Sequence, residues 1–348
     1  MKVITEISYE RQRQIGVGQG MNSEVFLAHD GQLGGQFAAK EIEKSHFGGD
    51  ITRYFEEAQA MFATAHPNIV PIQYACQTPS HIVLMMPYYQ HGSLADRIAS
   101  GPLTLSELVR VAIGVLHGIV QIHDAGYIHF DIKPSNILFN DVNDPMVADF
   151  GQSRKILPGG RVTLPPLYYR CIPPETLRSH IGSLLGDIYQ VGLLLYRATN
   201  GEPHFDEQFS GLTPAAINDR MMRGLLPDRK SFLPHVPKRI RSIIRKSLKA
   251  EPSQRYQSAT EFSQAIGRVP RTMDWMTYPD PNGNITWKAQ RAGKCDLEVN
   301  LLGSGSTWSV AVWTVNGGVK RAKNVLGASG LSYDDAMAHL NDVFEQLL

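Results

Sequence analysis

Four polar side chains in the middle of the chain lie in segments that otherwise have the composition of a protein core. They are Asp131, Lys133, Asn136 and Asp149, and their apolar neighbours are Ile128, Ile132, Ile137, Leu138 and Val147. A buried charge is costly unless it is paired, so the fold must either gather these groups or leave them as separate surface charges and helix caps. Their position among apolar residues favours one shared site.

The four residues belong to a series of six motifs that follow one another along the chain. They are the glycine-rich segment Gly16-Val-Gly18-Gln-Gly20, the run Phe37-Ala-Ala-Lys40, Glu57 on a predicted helix, His129-Phe-Asp131-Ile-Lys133-Pro-Ser-Asn136, Asp149-Phe-Gly151 and Pro173-Pro-Glu175. A glycine-rich turn between strands lets backbone N–H groups approach phosphate oxygens without a Cβ in the way. Alone, such a turn is weak evidence, because most glycine-rich segments are ordinary loops.

With six motifs in this order, the chain resembles the protein kinase family, of the bacterial Hanks-type (eukaryotic-like) serine/threonine class, from about Ile15 to Gly267. The resemblance implies an α+β fold with a small β-rich N-lobe, a helical C-lobe and ATP in the cleft between them. We expect a kinase domain over residues 1–270, with the N-lobe ending near 88 and the C-lobe covering 89–270. Within it, Thr104-Leu-Ser-Glu107 predicts a capping box at the start of a long helix that runs to about Asp124. The apolar patterns also predict a strand over Ile82–Met86 and a helix around Lys238–Lys249.

The resemblance also implies a role for each polar residue in phosphoryl transfer from ATP. Lys40 would contact the α- and β-phosphates, and Glu57 would hold Lys40 in place. Asn136 and Asp149 would supply oxygen ligands to Mg²⁺, with Mn²⁺ as an alternative ion. Asp131 would accept or orient the proton of the attacking hydroxyl, and Lys133 would steady the γ-phosphate.

The rest of the ATP site is implied by resemblance as well. Val25, Ala38 and Leu138 would form the apolar slot for adenine, Met86 would be the gatekeeper, and the backbone around Tyr88 would read the adenine edge. The glycine segment with its flanking residue would cover the phosphates, through Ile15, Gly16 and Gly18. Simple core packing is the alternative interpretation for the apolar members of this set.

Lys133 indicates the substrate class by resemblance, because a lysine at that place accompanies serine/threonine specificity. The leading hypothesis is therefore a protein serine/threonine kinase that also phosphorylates itself. A nucleotide-binding pseudokinase scaffold that acts through its C-terminal module is the main alternative. A small-molecule kinase with the same fold is a third possibility. Asp187 resembles the residue that anchors the catalytic loop, and Arg255 resembles the partner of Glu175.

The chain departs from the family pattern in three places. The glycine segment is longer than usual, with Ser23 where a third glycine is expected. Phe130 replaces an arginine that would pair with a phosphorylated activation segment, so we expect activity that does not depend on a phosphate docking there. Ser153 and Thr163 remain as candidate acceptors in that segment. Tyr168 stands near the place of a threonine that often supports the catalytic aspartate.

Beyond the kinase-like region, three prolines and two glycines within 267–284 indicate a linker over 271–284. Residues 285–348 alternate like strands and end in an amphipathic helix, which predicts a small sheet-plus-helix module. Its basic residues cluster around Lys288 and around Lys320, but we favour solvated strand edges and expect no nucleic-acid partner. Trp287, Trp308 and Trp313 are interpreted as core. The module would dock a partner protein or its own kinase domain.

Composition excludes several other classes of protein. The net charge of +1 and the 43% of hydrophobic residues describe a folded domain rather than a strongly basic nucleic-acid coat or a disordered chain. Cys76, Cys171 and Cys295 are too few and too far apart for a disulfide framework or a zinc site. We identify no signal peptide, and the apolar stretch Ile188–Ala198 is too short to cross a membrane. These features predict a cytoplasmic protein whose substrates cannot be named from sequence.

Overall fold

The computed structural model describes residues 7–16, 23–48, 50, 53–157, 162, 164–165, 169–270 and 273–347. Its N-lobe is a five-stranded antiparallel sheet in the order β1-β2-β3-β5-β4. The strands are β1 (Glu10–Ile15), β2 (Ser23–Asp30), β3 (Gly35–Glu43), β4 (Tyr74–Gln77) and β5 (His81–Pro87). One helix, α1 (Glu56–Ala63), accompanies the sheet.

The strand register decides which side chains share a face of this sheet. Residues that lie directly opposite each other in an antiparallel pair point to the same face, and so do residues two apart in one strand. Val25 lies opposite Lys40, and Ala38 lies opposite Met86. Because Lys40 and Ala38 are two residues apart on β3, all four side chains belong to one face. Ile15 joins them by pairing with Val25.

The C-lobe is built mainly of helices. They are α2 (Leu94–Ile98), α3 (Leu105–Asp124), α4 (Pro174–Ser179), α5 (Leu184–Asn200), α6 (Glu202–Glu207), α7 (Pro214–Met222), α8 (Lys238–Ser247) and α9 (Ala259–Gly267). Two short antiparallel pairs accompany them. These pairs join β6 (Tyr127–Ile128) to β9 (Arg154–Lys155) and β7 (Ile137–Phe139) to β8 (Pro145–Val147).

Helix α3 is the central element of the C-lobe core. It begins with the predicted capping box, in which the Thr104 hydroxyl accepts from the Glu107 N–H and the Glu107 carboxylate accepts from the Thr104 N–H. Its apolar face, from Leu105 to Ile122, is buried in the largest hydrophobic cluster of the protein. Because its C-terminus leads through β6 into the segment that starts at His129, this packing positions the candidate site.

The expectation about apolar stretches requires a correction. The sequence predicts Ile188–Ala198 as the most apolar helical stretch, but its helix α5 is shorter and less apolar than α3, which has 20 residues. Among the described residues, α3 alone has the length and apolar composition to cross a membrane. However, 61% of its apolar window is buried inside the protein. Burial against the other C-lobe helices accounts for this composition, since the core helix of a globular lobe is apolar for the same reason.

The C-terminal module is a six-stranded antiparallel sheet with one helix on one face. Its strands are β10 (Met276–Pro279), β11 (Ile285–Ala289), β12 (Asp296–Ser304), β13 (Thr307–Asn316), β14 (Val319–Ala322) and β15 (Ala328–Leu331), and its helix is α10 (Tyr333–Leu347). The order is β10-β11-β12-β13-β14, and β15 also pairs with β13. Leu340, Val343 and Phe344 are buried on α10, so its predicted apolar face is the one that covers the sheet.

Two predictions about the module are wrong. The segment 271–284, predicted as a linker, contains β10, and Trp275 just before it is 3% exposed in the module core. The turn chemistry is confined to Asp280–Asn284, where the Asp280 carboxylate accepts from the N–H groups of Asn282 and Asn284. Trp313, predicted as core, pairs with Glu298 on the face opposite α10, whereas Trp287 and Trp308 lie on the α10 face.

The module contacts the C-lobe through specific groups. Trp287 is fully buried, and its indole Nε1–H donates to Nδ1 of His235 at 3.0 Å. The backbone N–H of Ser106, in the first turn of α3, donates to a carboxylate oxygen of Asp274 at 2.7 Å. Burial lowers the pKa of His235 to about 3, aided by the positive charge of Arg241, so this histidine is neutral and can accept the indole proton.

Candidate active site

Lys40 on β3 and Glu57 on α1 form a buried ion pair. Lys40 Nζ lies 2.6 Å from Glu57 Oε1, and both side chains are almost fully enclosed. Burial opposes the charged form of Lys40, but the carboxylates of Asp149 and Glu57 outweigh it and raise the pKa of Lys40. The ammonium group is therefore held as a fixed positive charge at the cleft face of the sheet. Such a charge suits a polyanionic ligand.

Asp149 is the second partner of this lysine. Lys40 Nζ lies 2.7 Å from Asp149 Oδ1, which also accepts from the N–H of Gly151 at 3.3 Å. Burial raises the pKa of Asp149, but the lysine charge and its hydrogen bond prevail and lower it to about 2. The carboxylate is ionised throughout the physiological range. Asp149 has a left-handed backbone with φ 64°, an uncommon conformation that is found at functional turns.

The close approach of these three groups requires a glycine at position 151. A Cβ there would lie 3.2 Å from Asp149 Oδ1, 3.3 Å from Lys40 Nζ and 3.5 Å from Glu57 Oε2. A methyl group would therefore touch all three charged atoms. Because it cannot hydrogen-bond, it would desolvate them without any compensating contact. Gly151 thus keeps the space beside the charged groups open.

A second cluster forms around Asp131, on the segment between β6 and β7. Asp131 Oδ2 accepts from Lys133 Nζ at 2.7 Å and from Asn136 Nδ2 at 2.9 Å. Asn136 Nδ2 also donates to the backbone oxygen of Asp131 at 2.9 Å. These contacts use the amide nitrogen of Asn136, so its Oδ1 is oriented away from Asp131. The structure brings together three of the four polar residues that the sequence singled out.

Helix α5 holds this segment from behind. Asp187 accepts from the backbone N–H groups of His129 and Phe130 at 2.9 and 3.0 Å, and His123 Nε2 lies 2.9 Å from the same carboxylate. The predicted anchoring role of Asp187 is confirmed. Gln190 was missed by the sequence reasoning. Its side chain donates to the Phe130 carbonyl at 2.7 Å and accepts from the Ile132 N–H at 3.1 Å.

The predicted pair between Glu175 and Arg255 is also confirmed. The guanidinium makes two hydrogen bonds to the carboxylate, at 2.7 and 2.6 Å, and the Arg255 side chain is fully buried. Arg255 also donates to the backbone oxygens of Leu185 and Lys249. A two-pronged, buried pair of this kind fixes the start of α4 against the loop before α9.

The apolar residues predicted to hold adenine surround the cleft. Ile15, Val25, Ala38 and Met86 share the sheet face that carries Lys40, as the strand register requires. Leu138 on β7 is half-buried and, like Met86, packs against the large hydrophobic cluster of the C-lobe. Tyr88 follows β5, and its hydroxyl accepts from Arg13 at 3.2 Å.

The glycine segment is described only in part. Gly16 has φ 65°, a left-handed conformation that starts the turn after β1. Gly18, Thr163 and Tyr168 lie outside the described residues. Ser153, named as a candidate phosphate acceptor, is buried, and its hydroxyl faces the His129 carbonyl at 3.5 Å. An incoming phosphoryl donor would not reach this hydroxyl in the present arrangement.

The donor set fits a magnesium ion held jointly with a nucleotide. Mg²⁺ prefers oxygen ligands and is usually bound by one or two protein side chains together with phosphates and water. Asp149 supplies an ionised carboxylate, and Asn136 supplies an amide oxygen that Asp131 does not use. In the part of the chain that the structure describes, there is no group of three or more His, Cys, Asp or Glu side chains that could hold a metal ion by itself. A nucleotide would therefore have to complete the coordination.

Phe130 occupies the place where the resemblance predicts an arginine. Its backbone is left-handed, with φ 67°, and its side chain is buried rather than directed to solvent. The ring lies against the backbone of Gly182, where an added Cβ would be 2.3 Å from one ring carbon and 2.9 Å from Leu164 Cδ2. The residue therefore makes an apolar contact between the segment that carries Asp131 and the segment that follows Asp149.

Comparison with known proteins agrees with this geometry. A family model described as protein kinase domain matches residues 9–265. The chain is 29% identical over 257 residues to the serine/threonine-protein kinase PrkC of Bacillus subtilis, covering 72% of this chain and 39% of that protein. It is 27% identical over 254 residues to the probable serine/threonine-protein kinase PknB of Lactococcus lactis, covering 71% and 40%.

A third relative is shorter. The chain is 31% identical over 255 residues to the probable CTD kinase subunit alpha homolog of Encephalitozoon cuniculi, covering 70% of this chain and 75% of that protein. The chain spans about two fifths of the length of the two bacterial relatives. The matched residues 9–265 include the glycine segment, both polar clusters and the Glu175–Arg255 pair. The chain belongs to the protein kinase family.

Proposed function

We propose that the chain is an ATP- and Mg²⁺-dependent protein serine/threonine kinase that also phosphorylates itself. One observation carries the proposal. Lys40 Nζ lies within hydrogen-bond distance of both Glu57 and Asp149, at 2.6 and 2.7 Å, so the groups that phosphoryl transfer requires are already assembled across the two lobes. A scaffold that only bound nucleotide would not need Asp131, Lys133 and Asn136 in mutual contact as well.

Each candidate residue has a separate role in the proposed phosphoryl transfer. Lys40 neutralises the α- and β-phosphates, and Glu57 prevents the lysine from turning away. A bound Mg²⁺, held by Asp149 and Asn136, would supply further neutralisation of the phosphate charge. Asp131 takes up the proton as the substrate oxygen bonds to the γ-phosphorus and the bond to the β–γ bridging oxygen breaks. Lys133, which contacts Asp131, steadies the transferred phosphoryl group.

Two observations support hydroxyl groups of serine and threonine as the acceptors. Lys133 lies beside Asp131, where the family resemblance associates lysine with this specificity. The two bacterial relatives are named as serine/threonine kinases. We propose that the chain acts on protein substrates in the cytoplasm. Burial of the apolar helix α3 in the C-lobe supports its assignment as a core helix rather than a membrane span.

The C-terminal module is proposed to act on its own kinase domain. The bonds from Trp287 to His235 and from Ser106 to Asp274 support this interpretation. Lys238 of α8 and Glu345 of α10 add an ion pair at 3.3 Å. All these contacts are at the start of α3 or α8, whereas Asp131 follows the C-terminal end of α3. The module would therefore stabilise the C-lobe rather than block the cleft.

An assay with radiolabelled ATP tests the proposed activity. The purified chain with Mg²⁺ and a generic protein substrate should transfer label to serine and threonine, and Asp131→Asn should lose most of this transfer while binding ATP normally. Asp141→Asn removes the same charge from an exposed loop of the C-lobe and should leave transfer unchanged. Nucleotide binding without any transfer by the wild-type chain would refute the kinase and support the scaffold hypothesis.

A further inference from the structure

Charge is separated between the two faces of the C-terminal module. Residues 285–331, which form most of the sheet, contain six Lys and Arg against two Asp and Glu. Residues 332–347, which form α10, contain four Asp and Glu and no Lys or Arg. The module as a whole is close to neutral because the positive charge of the sheet residues and the negative charge of the helix residues cancel. By the strand register, Lys288 and Lys320 project from the face that α10 does not cover, whereas Arg321 is opposite Thr314 and belongs to the α10 side.

The register of the sheet defines this second face, which we call the outer face. Met276, Lys288, Glu298, Trp313 and Ala322 form one row across β10 to β14, because each is directly opposite the next. A neighbouring row consists of Tyr278, Thr286, Asn300 and Ala311. The residues between these rows, such as Trp287 and Val299, face α10 and are buried. The outer face thus combines two aromatic rings with lysine, threonine and asparagine side chains.

The outer face is open to solvent along β10 and β11, where Lys288 gives it a positive charge, whereas Glu298 at its centre is 6% exposed. Tyr278 is 48% exposed and Met276 is 38% exposed, and Lys288 Nζ lies over the Tyr278 ring at 5.5 Å from its centroid. The carboxylate of Glu298 is neutralised by Lys320 Nζ at 2.5 Å. Arg291 and Lys294 stand in the turn that joins β11 to β12, at the end of the same face. An anion that approached this face would meet Lys288 on β11 and Lys294 in the turn, while Arg291 Nε donates to the Cys295 carbonyl at 2.6 Å.

We propose that the outer face binds single-stranded nucleic acid. Tyr278 offers an exposed ring on which a base can stack, Trp313 offers a second, half-buried ring, and Lys288 and Lys294 offer cations for the phosphates. Charge alone would also attract an acidic peptide, but carboxylate side chains do not stack on aromatic rings such as those of Tyr278 and Trp313. The hydroxyl of Thr286 and the amide of Asn300, joined at 2.9 Å, add hydrogen-bonding groups at the level of the rings. This activity is independent of phosphoryl transfer, because the cleft is in another part of the chain.

Binding can be measured with the full chain and a fluorescein-labelled oligothymidylate of 20 nucleotides, by fluorescence anisotropy. Tyr278→Ala should weaken binding by about tenfold, the loss of one stacked base. Tyr333→Ala is the matched control, since Tyr333 is also 48% exposed but lies on the acidic helix α10. Lys288→Ala should reduce the slope of log K against log salt by about 0.7, the contribution of one phosphate contact.

Several outcomes would overturn the proposal. They are no anisotropy change at 50 mM salt with 100 μM protein, equal weakening by Tyr278→Ala and Tyr333→Ala, and equal affinity for a duplex of the same length. Tighter binding of a poly-glutamate peptide than of the oligonucleotide would instead identify an acidic polypeptide as the occupant. All variants should keep the phosphoryl-transfer rate of the wild type, so a failure of this proposal is distinguishable from a failure of the proposed kinase activity.

Discussion

The contact between Phe130 and Gly182 gives the sharpest test of how the candidate catalytic residue is positioned. A Cβ added at Gly182 would lie 2.3 and 2.4 Å from two ring carbons of Phe130 and 2.9 Å from Leu164 Cδ2. Ordinary carbon contacts are about 3.5–4.0 Å, so the Gly182→Ala variant requires the ring to move by more than 1 Å. Overpacking of this kind typically costs about 1–3 kcal/mol.

The backbone of Phe130 cannot absorb this movement freely. Its N–H donates to Asp187 at 3.0 Å, and its carbonyl accepts from Gln190 at 2.7 Å. The displacement should therefore reach Asp131, the next residue. Misplacement of a catalytic group by about 1 Å can cost about a hundredfold in rate. We expect Gly182→Ala to lower kcat between tenfold and a hundredfold, with little change in the KM for ATP, because Lys40 and Glu57 lie in the N-lobe.

Steady-state kinetics and urea denaturation would measure both effects. Gly186→Ala is the matched control, since its added Cβ would meet only Pro173 Cγ at an ordinary 3.4 Å. Phe130→Leu combined with Gly182→Ala should recover much of the lost kcat, because leucine lacks the two ring carbons that collide. A kcat for Gly182→Ala within twofold of wild type, or no recovery in the double variant, would refute the positioning role of Phe130.

Three other predictions test separate parts of the structure. Glu57→Gln should lower kcat/KM for ATP at least tenfold without loss of stability, as kinetics and urea denaturation would show; unchanged kinetics would contradict the role of the Lys40 pair. Arg255→Met should reduce the free energy of unfolding by about 3–5 kcal/mol, because it leaves Glu175 without its buried partner, and wild-type stability would contradict this. The pKa of His235 is about 3 in the folded chain and about 6.5 when unfolded, so only the unfolded state gains the proton between these values and stability should fall as pH drops from about 6.5 toward 3. His235→Gln, whose amide oxygen can still accept from Trp287, should lose less stability between pH 7 and 5 in urea denaturation than wild type, and an equal loss would exclude His235 as the cause.

Much of the fold could be predicted because local signals and burial agree. Thr104 and Glu107 form the predicted capping box, and α3 ends at the predicted Asp124. The helix predicted over Lys238–Lys249 is observed as Lys238–Ser247, and the strand predicted over Ile82–Met86 as His81–Pro87. In each case an apolar period matches the face that the structure buries.

The linker prediction failed because composition was averaged over the whole segment 271–284. Prolines and glycines there mark one tight turn at Asp280–Asn284, while Trp275 and β10 belong to the module. Trp313 was misassigned although a signal was available. It is five residues from Trp308 on one strand, and an odd separation places two side chains on opposite faces. Since α10 covers the face of Trp308, Trp313 had to be on the outer face.

Gln190 shows what a motif search omits. It lies three residues after Asp187 on α5, a spacing that places both side chains on one face of the helix. The sequence contained this signal, but only the structure shows that the loop facing them has free backbone groups. The left-handed conformation of Phe130 gave no sequence signal, because among residues other than glycine this conformation favours asparagine, aspartate and histidine. Asp149 is one of these types, but most aspartates are not left-handed, so its conformation could not be assigned from residue type.

Phe130 and Asp149 keep their left-handed conformations because each is held by a neighbouring element. Helix α5 holds Phe130, and Lys40 of the N-lobe holds Asp149. A left-handed phenylalanine or aspartate is less favourable than an extended one by about 1–3 kcal/mol. At Phe130 this cost is offset by hydrogen bonds to Asp187 and Gln190, and at Asp149 by Lys40 and the N–H of Gly151. It follows that Lys40 and Asp149 are not independent. Loss of the Lys40 contact would leave only the N–H of Gly151 to hold Asp149 in its strained conformation, so a change at the proposed phosphate ligand should also displace the proposed metal ligand.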